Sequence, residues 1–409
     1  MNMPLTQHER SDALSILVIN DIGFQYGAGI GTLRQIQSLL IAGYTVELLC
    51  LRQGPEGMIP VIMPEMSGTW LGYTCLDYLD VAEEKLILDT LLLEVALREP
   101  DVVLVGNLHG ANIPLELLPT LQSLGCRVVA YMHDCYFVTG RCAYVGNCQK
   151  YKTGCDSQCP TADEYPSLVP EQIAEQWQLR QKIFCGPNGV PLLANSEWTA
   201  DFARGALGGP QAVDCLYCGL DTHLFSPIDR QYARKLLGLP EHAFIVLGGA
   251  VKLNQFRKGG HIFVEIYQQL QDEVEFLAFG WQDSLKSPKS WHKMALVRDY
   301  RKMPLIYSAA DLFVGTSLEE AFGQTFCEAQ ACGLPVVAFA VGGIPEIARQ
   351  GVGARLSRSL TAEGIIEEIN FFRANPQARA DYAKAGRAMV EAEFSLQVQA
   401  KRWKSYFNR

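Results

Sequence analysis

Asp311-Leu-Phe-Val-Gly-Thr-Ser-Leu-Glu-Glu-Ala-Phe-Gly-Gln-Thr-Phe-Cys-Glu-Ala-Gln-Ala-Cys-Gly-Leu-Pro-Val-Val-Ala-Phe-Ala-Val-Gly-Gly-Ile-Pro-Glu346 reads as strand, loop, helix, strand and glycine turn. Leu312–Val314 is a short apolar run suited to a buried parallel strand. Thr316–Phe322 is a loop, and Gln324–Cys332 has helical composition that Gly333 and Pro335 stop. Pro335–Phe339 is a second strand, Gly342-Gly343 turns the chain, and Pro345 sits where a new helix would start.

Two acids frame this unit, Glu320 in the loop and Glu328 about one turn into the helix. Between them the first peptide N–H groups of the helix have no helical partner, and the helix dipole favours an anion there. The extended steps from Glu320 to Gly323 span at most roughly 10 Å, and the helical steps on to Glu328 add roughly 7 Å. Such a path suits a ligand with hydroxyls at both ends and phosphate between, the layout of a nucleotide sugar. The plain alternative is two surface acids on an ordinary βαβ unit.

Working outward, alternating strands and helices predict parallel, doubly wound sheets in two halves. In the first half, strands are expected at Leu14–Asn20, Thr45–Leu51, Asp101–Gly106, Arg127–Met132, Pro191–Asn195 and Cys215–Tyr217. A glycine-rich turn spans Asp21–Gly31, a helix is expected over Thr32–Ile41, and residues 54–82 read as irregular. Cys218–Pro227 reads as a linker. The second half has strands at Phe244–Gly248 and Glu275–Phe279, with Gly248-Gly249-Ala250 as a turn and 282–298 as a polar loop. Domains are therefore expected over 1–220 and 221–394, with an amphipathic helix at 395–409 crossing back onto the first. Two such domains face to face leave a crevice between their strand ends, the usual place for a ligand.

Several residues fall at those strand ends. His133 follows the Arg127–Met132 strand, and Asp134 beside it could fix the ring's tautomer or cap a turn; a histidine satisfied within its loop is the alternative. Arg257-Lys258-Gly259-Gly260 opens a helix where cations can neutralise a diphosphate, or simply form a solvated positive spot. Cys142, Cys148, Cys155 and Cys159 fall in a loop with little regular structure, spaced Cys-x5-Cys-x6-Cys-x3-Cys. Four thiolates could hold one structural zinc tetrahedrally and stiffen the loop, with no open position for catalysis. Disulfides or free thiols are the alternative.

The bulk properties bound the function. The chain has 409 residues, 48% of them hydrophobic, enough for two full cores. A net charge of −9 argues against a nucleic-acid binder. There is no apolar run of membrane-spanning length, and Met1–Asp12 lacks the apolar core of a secretory signal. A cytoplasmic, reducing location without disulfides is the expectation for the 13 cysteines.

The chain resembles the retaining glycosyltransferases of family 4, which have the GT-B fold. Glu320-x7-Glu328, with its continuation through Gly342-Gly343-Ile344-Pro345-Glu346, is similar to the family's donor motif. Arg257-Lys258-Gly259 resembles the Lys-Gly motif that holds donor phosphates, and Gly27-Ala28-Gly29 looks like the amino-terminal glycine loop. His133-Asp134-Cys135 through Cys155-x3-Cys159-Pro160 is similar to a subgroup with a cysteine-bearing loop, found among polysaccharide-assembly enzymes.

The resemblance implies roles. Glu320 would bind donor-sugar hydroxyls and Glu328 the ribose. The N–H groups of Phe322, Gly323, Gln324 and Thr325 would take the diphosphate, with Lys258 and Arg257. Gly29 would allow close approach to the phosphates, and His133 would contact the transferred sugar. The family often has a Gly-Arg pair ahead of the Lys-Gly; this strand ends Gly248-Gly249-Ala250, so Arg257 or Lys252 would substitute.

The implied reaction is retaining transfer of a hexose from a nucleotide-diphosphate sugar to a saccharide, lipid-linked or small-molecule acceptor. No Asp-x-Asp motif occurs, so protein cations would replace a divalent metal and no cofactor is expected. A lipid-linked acceptor would call for weak membrane-surface contact. The alternative is another GT-B enzyme, such as a sugar-nucleotide epimerase or a phosphorylase.

Overall fold

A computed structural model describes residues 13–53, 65–79, 82–209, 213–281 and 291–409. The first half forms a seven-stranded, wholly parallel sheet of order β3-β2-β1-β4-β5-β6-β7. Its strands are β1 Ser15–Ile22, β2 Thr45–Arg52, β3 Thr69–Cys75, β4 Val102–Val105, β5 Arg127–Met132, β6 Leu192–Ala194 and β7 Asp214–Cys215. The second half forms a six-stranded parallel sheet of order β10-β9-β8-β11-β12-β13. There β8 is Ile245–Lys252, β9 Glu275–Trp281, β10 His292–Met294, β11 Leu312–Gly315, β12 Val336–Phe339 and β13 Ala354–Ser357. The two orders share one pattern, in which the strand order reverses beside the first strand of each sheet. These are two Rossmann-like domains, and each offers its ligand position at the carboxyl end of that reversal, between β1 and β4 and between β8 and β11.

The central strands are apolar on both faces because helices cover both. Leu17, Ile19 and Val105 bury into one layer of the first domain and Ile16, Val18 and Leu104 into the other. The second sheet divides in the same way, with Leu247 and Phe313 on one face and Val246 and Val314 on the other. After a parallel bridge between Leu220 and Ser395, the helix Leu396–Phe407 lies against the first domain. Its Trp403 stacks on Tyr131 at 6.1 Å between ring centroids, and Phe407 meets Tyr44 edge-on at 5.6 Å.

Five local readings change. The glycine-rich segment is not a turn, because the first helix begins at Tyr26 and runs to Ile41, taking in Gly27, Gly29 and Gly31. β8 continues through Gly248 and Gly249, where a Cβ would lie 2.4 Å from the rings of Phe263 and Phe279 respectively. The stretch read as irregular holds the edge strand β3; its residues 54–64 and 80–81 lie outside the described residues, as do 282–290 of the expected polar loop. The remainder of that loop contains β10, and the strand expected over Cys215–Tyr217 pairs only at Asp214–Cys215. Tyr217 turns away instead, its hydroxyl donating to Glu346 at 3.2 Å.

Candidate active site

The carboxyl ends of the two sheets face each other across a crevice of about 1670 Å³. Asp21, His109 and His133 line it from the first domain, and Lys258, Glu320 and Thr325 from the second.

On the second-domain wall, two loops are stitched together. Leu318 N–H donates to Arg257 O at 2.7 Å, and the Thr316 hydroxyl donates to Lys258 O at 3.1 Å. Gly259 makes this approach possible: its φ is +64°, and a Cβ there would stand 1.9 Å from Thr316 O. Lys258 is thereby set against Glu320, and the two form a close ion pair. Burial works to raise the Glu320 carboxyl, yet Lys258 and then Arg257 hold it below the usual carboxylate range. Gly342-Gly343 backs the same loop, with Gly343 N–H donating to Glu320 O at 2.9 Å. Beyond it the helix Gln324–Ala331 starts at Gly323 with no side-chain cap, and Phe322, Gly323, Gln324 and Thr325 all line the crevice. Arg257 reaches the crevice stacked over Tyr144 at 3.9 Å, and its Nη1 is buried with no hydrogen-bond partner among the described residues. This wall offers Lys258 and Arg257, an uncapped helix start and the Glu320 carboxylate, a set that can hold a diphosphate beside a hydroxyl-bearing group.

Two expected contacts lie elsewhere. Glu328 is not on the crevice wall. Its Oε1 accepts from Arg34 Nη2 at 2.5 Å and its Oε2 from the Tyr307 hydroxyl at 2.7 Å. Arg34 comes from the first-domain helix and also donates to Gln324 Oε1 at 2.6 Å, while Gln324 Nε2 donates to Gly27 O at 2.6 Å. Gly29 is also behind the wall: a Cβ there would sit 2.1 Å from Gly23 O, so the glycine serves packing of the helix start and leaves Gly27 and Ala28 to line the crevice. Arg34 and Tyr307 were missed, because in sequence Arg34 looks like any polar residue on an amphipathic helix.

On the first-domain wall, His133 is 8% exposed, with Nε2 3.5 Å from the Thr32 hydroxyl. Burial depresses its pKa to about 4, so the ring is neutral at physiological pH. Asp134 does not orient it. Asp134 Oδ1 accepts from Tyr136 N–H at 2.9 Å and so caps the turn, while Oδ2 lies 3.0 Å from His109 Nε2. His109 was not singled out from sequence; its place directly after β4, a central strand, was the available signal. Burial opposes its charge, but Asp134 raises its pKa above the ordinary histidine value.

The four-cysteine loop lies beside the crevice and spans to the second domain, where the Glu319 carboxylate accepts from Val145 and Gly146 N–H, both at 3.0 Å. Cys142, Cys148, Cys155 and Cys159 line one cavity of about 10 Å³. As folded, three of the four thiols have protein partners. Cys142 and Cys159 Sγ lie 4.0 and 3.8 Å from the Thr161 hydroxyl, and Cys155 Sγ accepts from Gly140 N–H at 3.3 Å. Among the described residues no group of three or more His, Cys, Asp or Glu is placed to hold a metal.

Two Rossmann-like domains of one topology, with a cation-bearing helix start facing a histidine-bearing wall, define the GT-B fold. Residues 243–374 match the family described as glycosyl transferases group 1. The chain is 34% identical over 226 residues to a D-inositol 3-phosphate glycosyltransferase 1 of Catenulispora acidiphila, covering 50% of this chain and 53% of that one. It is 25% identical over 274 residues to the putative colanic acid biosynthesis glycosyl transferase WcaC of Escherichia coli K12, covering 66% and 63%. The chain thus spans about half the length of the first of these curated relatives. Two solved structures share the whole fold. Sucrose-phosphate synthase of Thermosynechococcus elongatus superposes with a TM-score of 0.71 at 18% identity, covering 96% of this chain and 98% of that one. Anabaena Alr3699/HepE in complex with UDP-glucose gives 0.71 at 17%, covering 96% and 99%. Among the described residues no helix is long and apolar enough to cross a membrane.

Proposed function

We propose that the protein is a retaining glycosyltransferase that moves a hexose from a nucleotide-diphosphate sugar to an acceptor hydroxyl. The observation that carries this is the second-domain wall, where Lys258 and Arg257 flank an uncapped helix start beside Glu320. Residues 1–220, with 395–409 packed on them, serve the acceptor side, and 221–394 grip the donor.

As the bond from the sugar's anomeric carbon to phosphate breaks, negative charge grows on the diphosphate. Lys258, Arg257 and the N–H groups of Phe322–Thr325 stabilise it, the part a divalent metal would otherwise play. Glu320 orients the sugar through its hydroxyls. The neutral His133 ring, at the end of β5, contacts the sugar from the opposite wall. The acceptor oxygen attacks on the face the diphosphate leaves, its proton passing to a phosphate oxygen, so configuration is retained. Glu328 acts on the donor from behind the wall, by fixing the helix that carries Gln324 and Thr325.

The test is a thermal-shift screen of nucleotide sugars, followed by transfer assays with the most stabilising donor in the presence of a chelator. Lys258→Ala and Glu320→Ala should each abolish transfer while the protein stays folded. The product's anomeric configuration, read by NMR, should match the donor's. Near-normal turnover in either variant refutes the assignment.

A further inference from the structure

A second polar cluster lies in the crevice, on the first-domain wall, and the donor reading does not use it. The carboxyl end of β1 and the loops that follow β4 and β5 converge there. Asp21 N–H donates to Asn107 O at 2.8 Å, and Asp21 Oδ2 accepts from Gly110 N–H at 2.7 Å. Asp21 Oδ1 has no hydrogen-bond partner among the described residues, although Asp21 is only 3% exposed and lines the crevice. A buried carboxylate oxygen without a donor is costly, and a ligand hydroxyl that reaches it removes that cost. Gly110 keeps the approach open, since a Cβ there would sit 2.4 Å from Asp21 Oδ2 and 3.4 Å from the Tyr165 hydroxyl. Tyr165 stands at the rim, 67% exposed, its hydroxyl 2.9 Å from His109 Nδ1.

His109 Nε2 lies 3.0 Å from Asp134 Oδ2, and burial raises the Asp21 pKa against the pull of His109. Arg141 gives both terminal guanidinium nitrogens to the carbonyls of Thr161, Glu164 and Pro166, and only its Nε is left without a hydrogen-bond partner among the described residues. A phosphate entering this wall would meet two buried acidic side chains, Asp21 and Asp134, and an arginine whose terminal nitrogens are committed elsewhere. On the second-domain wall the terminal Nη1 of Arg257 has no partner among the described residues.

Resting on the transfer reading above, we propose that Asp21, His109 and Tyr165 form the acceptor subsite and that it takes an uncharged sugar in preference to a phosphorylated one. Asp21 Oδ1 accepts a hydrogen bond from an acceptor hydroxyl, and the exposed Tyr165 ring lies against the sugar's C–H face.

The test uses the full chain. UDP, GDP and ADP are titrated by calorimetry, and the tightest is held at saturation. Saturation-transfer NMR then compares the methyl glycosides of glucose, mannose and galactose with glucose 6-phosphate and mannose 6-phosphate. At least one neutral glycoside should bind about tenfold more tightly than either phosphorylated sugar. Asp21→Asn should weaken it about tenfold and Tyr165→Phe about threefold, with nucleotide affinity within twofold of the parent. Should Asp21→Asn fail to fold, Tyr165→Phe and Tyr165→Ala at the exposed rim decide alone. Preference for the phosphorylated sugars, no bound sugar at all, or unchanged affinity in the folded variants overturns this inference. Failure of all three nucleotides to bind overturns the transfer reading itself.

Discussion

Replacing Arg34 with Met tests how the two domains are held. The Arg34 and Glu328 side chains are 3% and 10% exposed, so their ion pair is almost wholly removed from water. Arg34 also donates to Gln324, and its guanidinium lies 5.5 Å from the Phe225 ring. Met keeps the stem's volume and apolar packing but strands Glu328 with only the Tyr307 hydroxyl at 2.7 Å. An uncompensated buried charge of this kind costs about 3–5 kcal/mol. Glu328→Gln in the Arg34→Met background removes that charge, and Tyr307 can donate to the amide oxygen, so much of the loss should return. The double variant should be more stable than Arg34→Met by about 1.5 kcal/mol or more, a coupling within the range for groups in direct contact. Urea unfolding followed by circular dichroism on the four proteins of the cycle measures both quantities. A loss below about 1 kcal/mol in Arg34→Met, or additivity of the two changes, would refute the view that this pair joins the domains.

Two further outcomes follow from the site. His133 has a depressed pKa of about 4 through burial, so the unfolded chain takes up its proton first as pH falls. Its contribution is fully present above about 6.5 and is lost between there and about 4, a change of roughly 3 kcal/mol; His133→Gln should flatten the stability–pH curve in that window, and an unchanged slope in acid titrations would count against a buried neutral ring. Gly342 has φ of +56°, and a Cβ there would fall 2.0 Å from Glu320 O. Gly342→Ala should therefore cost more than about 1 kcal/mol, displace Glu320, and raise the donor KM at least tenfold; a normal KM would show that the turn does not position that loop.

The fold was legible because parallel strands buried on both faces read as apolar runs bounded by glycine, as at Leu312–Gly315 and Arg127–Met132. The glycine segment after β1 was misread because a helix start that packs against Gly23 carries the same residues as a flexible turn. Lys258 and Glu320 were recognisable from their motifs, although the close pair between them depends on a loop contact that spacing does not reveal. The contacts joining the domains were hidden altogether. Arg34 and Glu328 are 294 residues apart, and Glu346 accepts from the N–H groups of Glu197 and Trp198 at 2.8 and 2.7 Å across 149 and 148 residues. No local periodicity encodes such pairs. Asp21, His109 and Tyr165 were likewise invisible as a group, because the end of one strand and two separate loops bring them together.

The contacts between the domains fall into two sets with different consequences. Arg34–Glu328 and the Glu346 cap on the helix Glu197–Ala206 form one set, and none of the three side chains lines the crevice. Glu319 with Val145 and Gly146, and Arg257 with Tyr144, lie on the crevice wall itself. In the proposed donor site, a diphosphate that recruits Arg257 would compete with its stacking on Tyr144. These contacts join the second-domain wall to the cysteine-bearing loop, which leads from Cys142 through Cys159 to Tyr165 at the rim of the other wall. One covalently continuous segment thus touches Arg257 at one end and the proposed acceptor subsite at the other. Matching strand orders set the two walls face to face, and this loop is a part of the first domain in direct contact with the second.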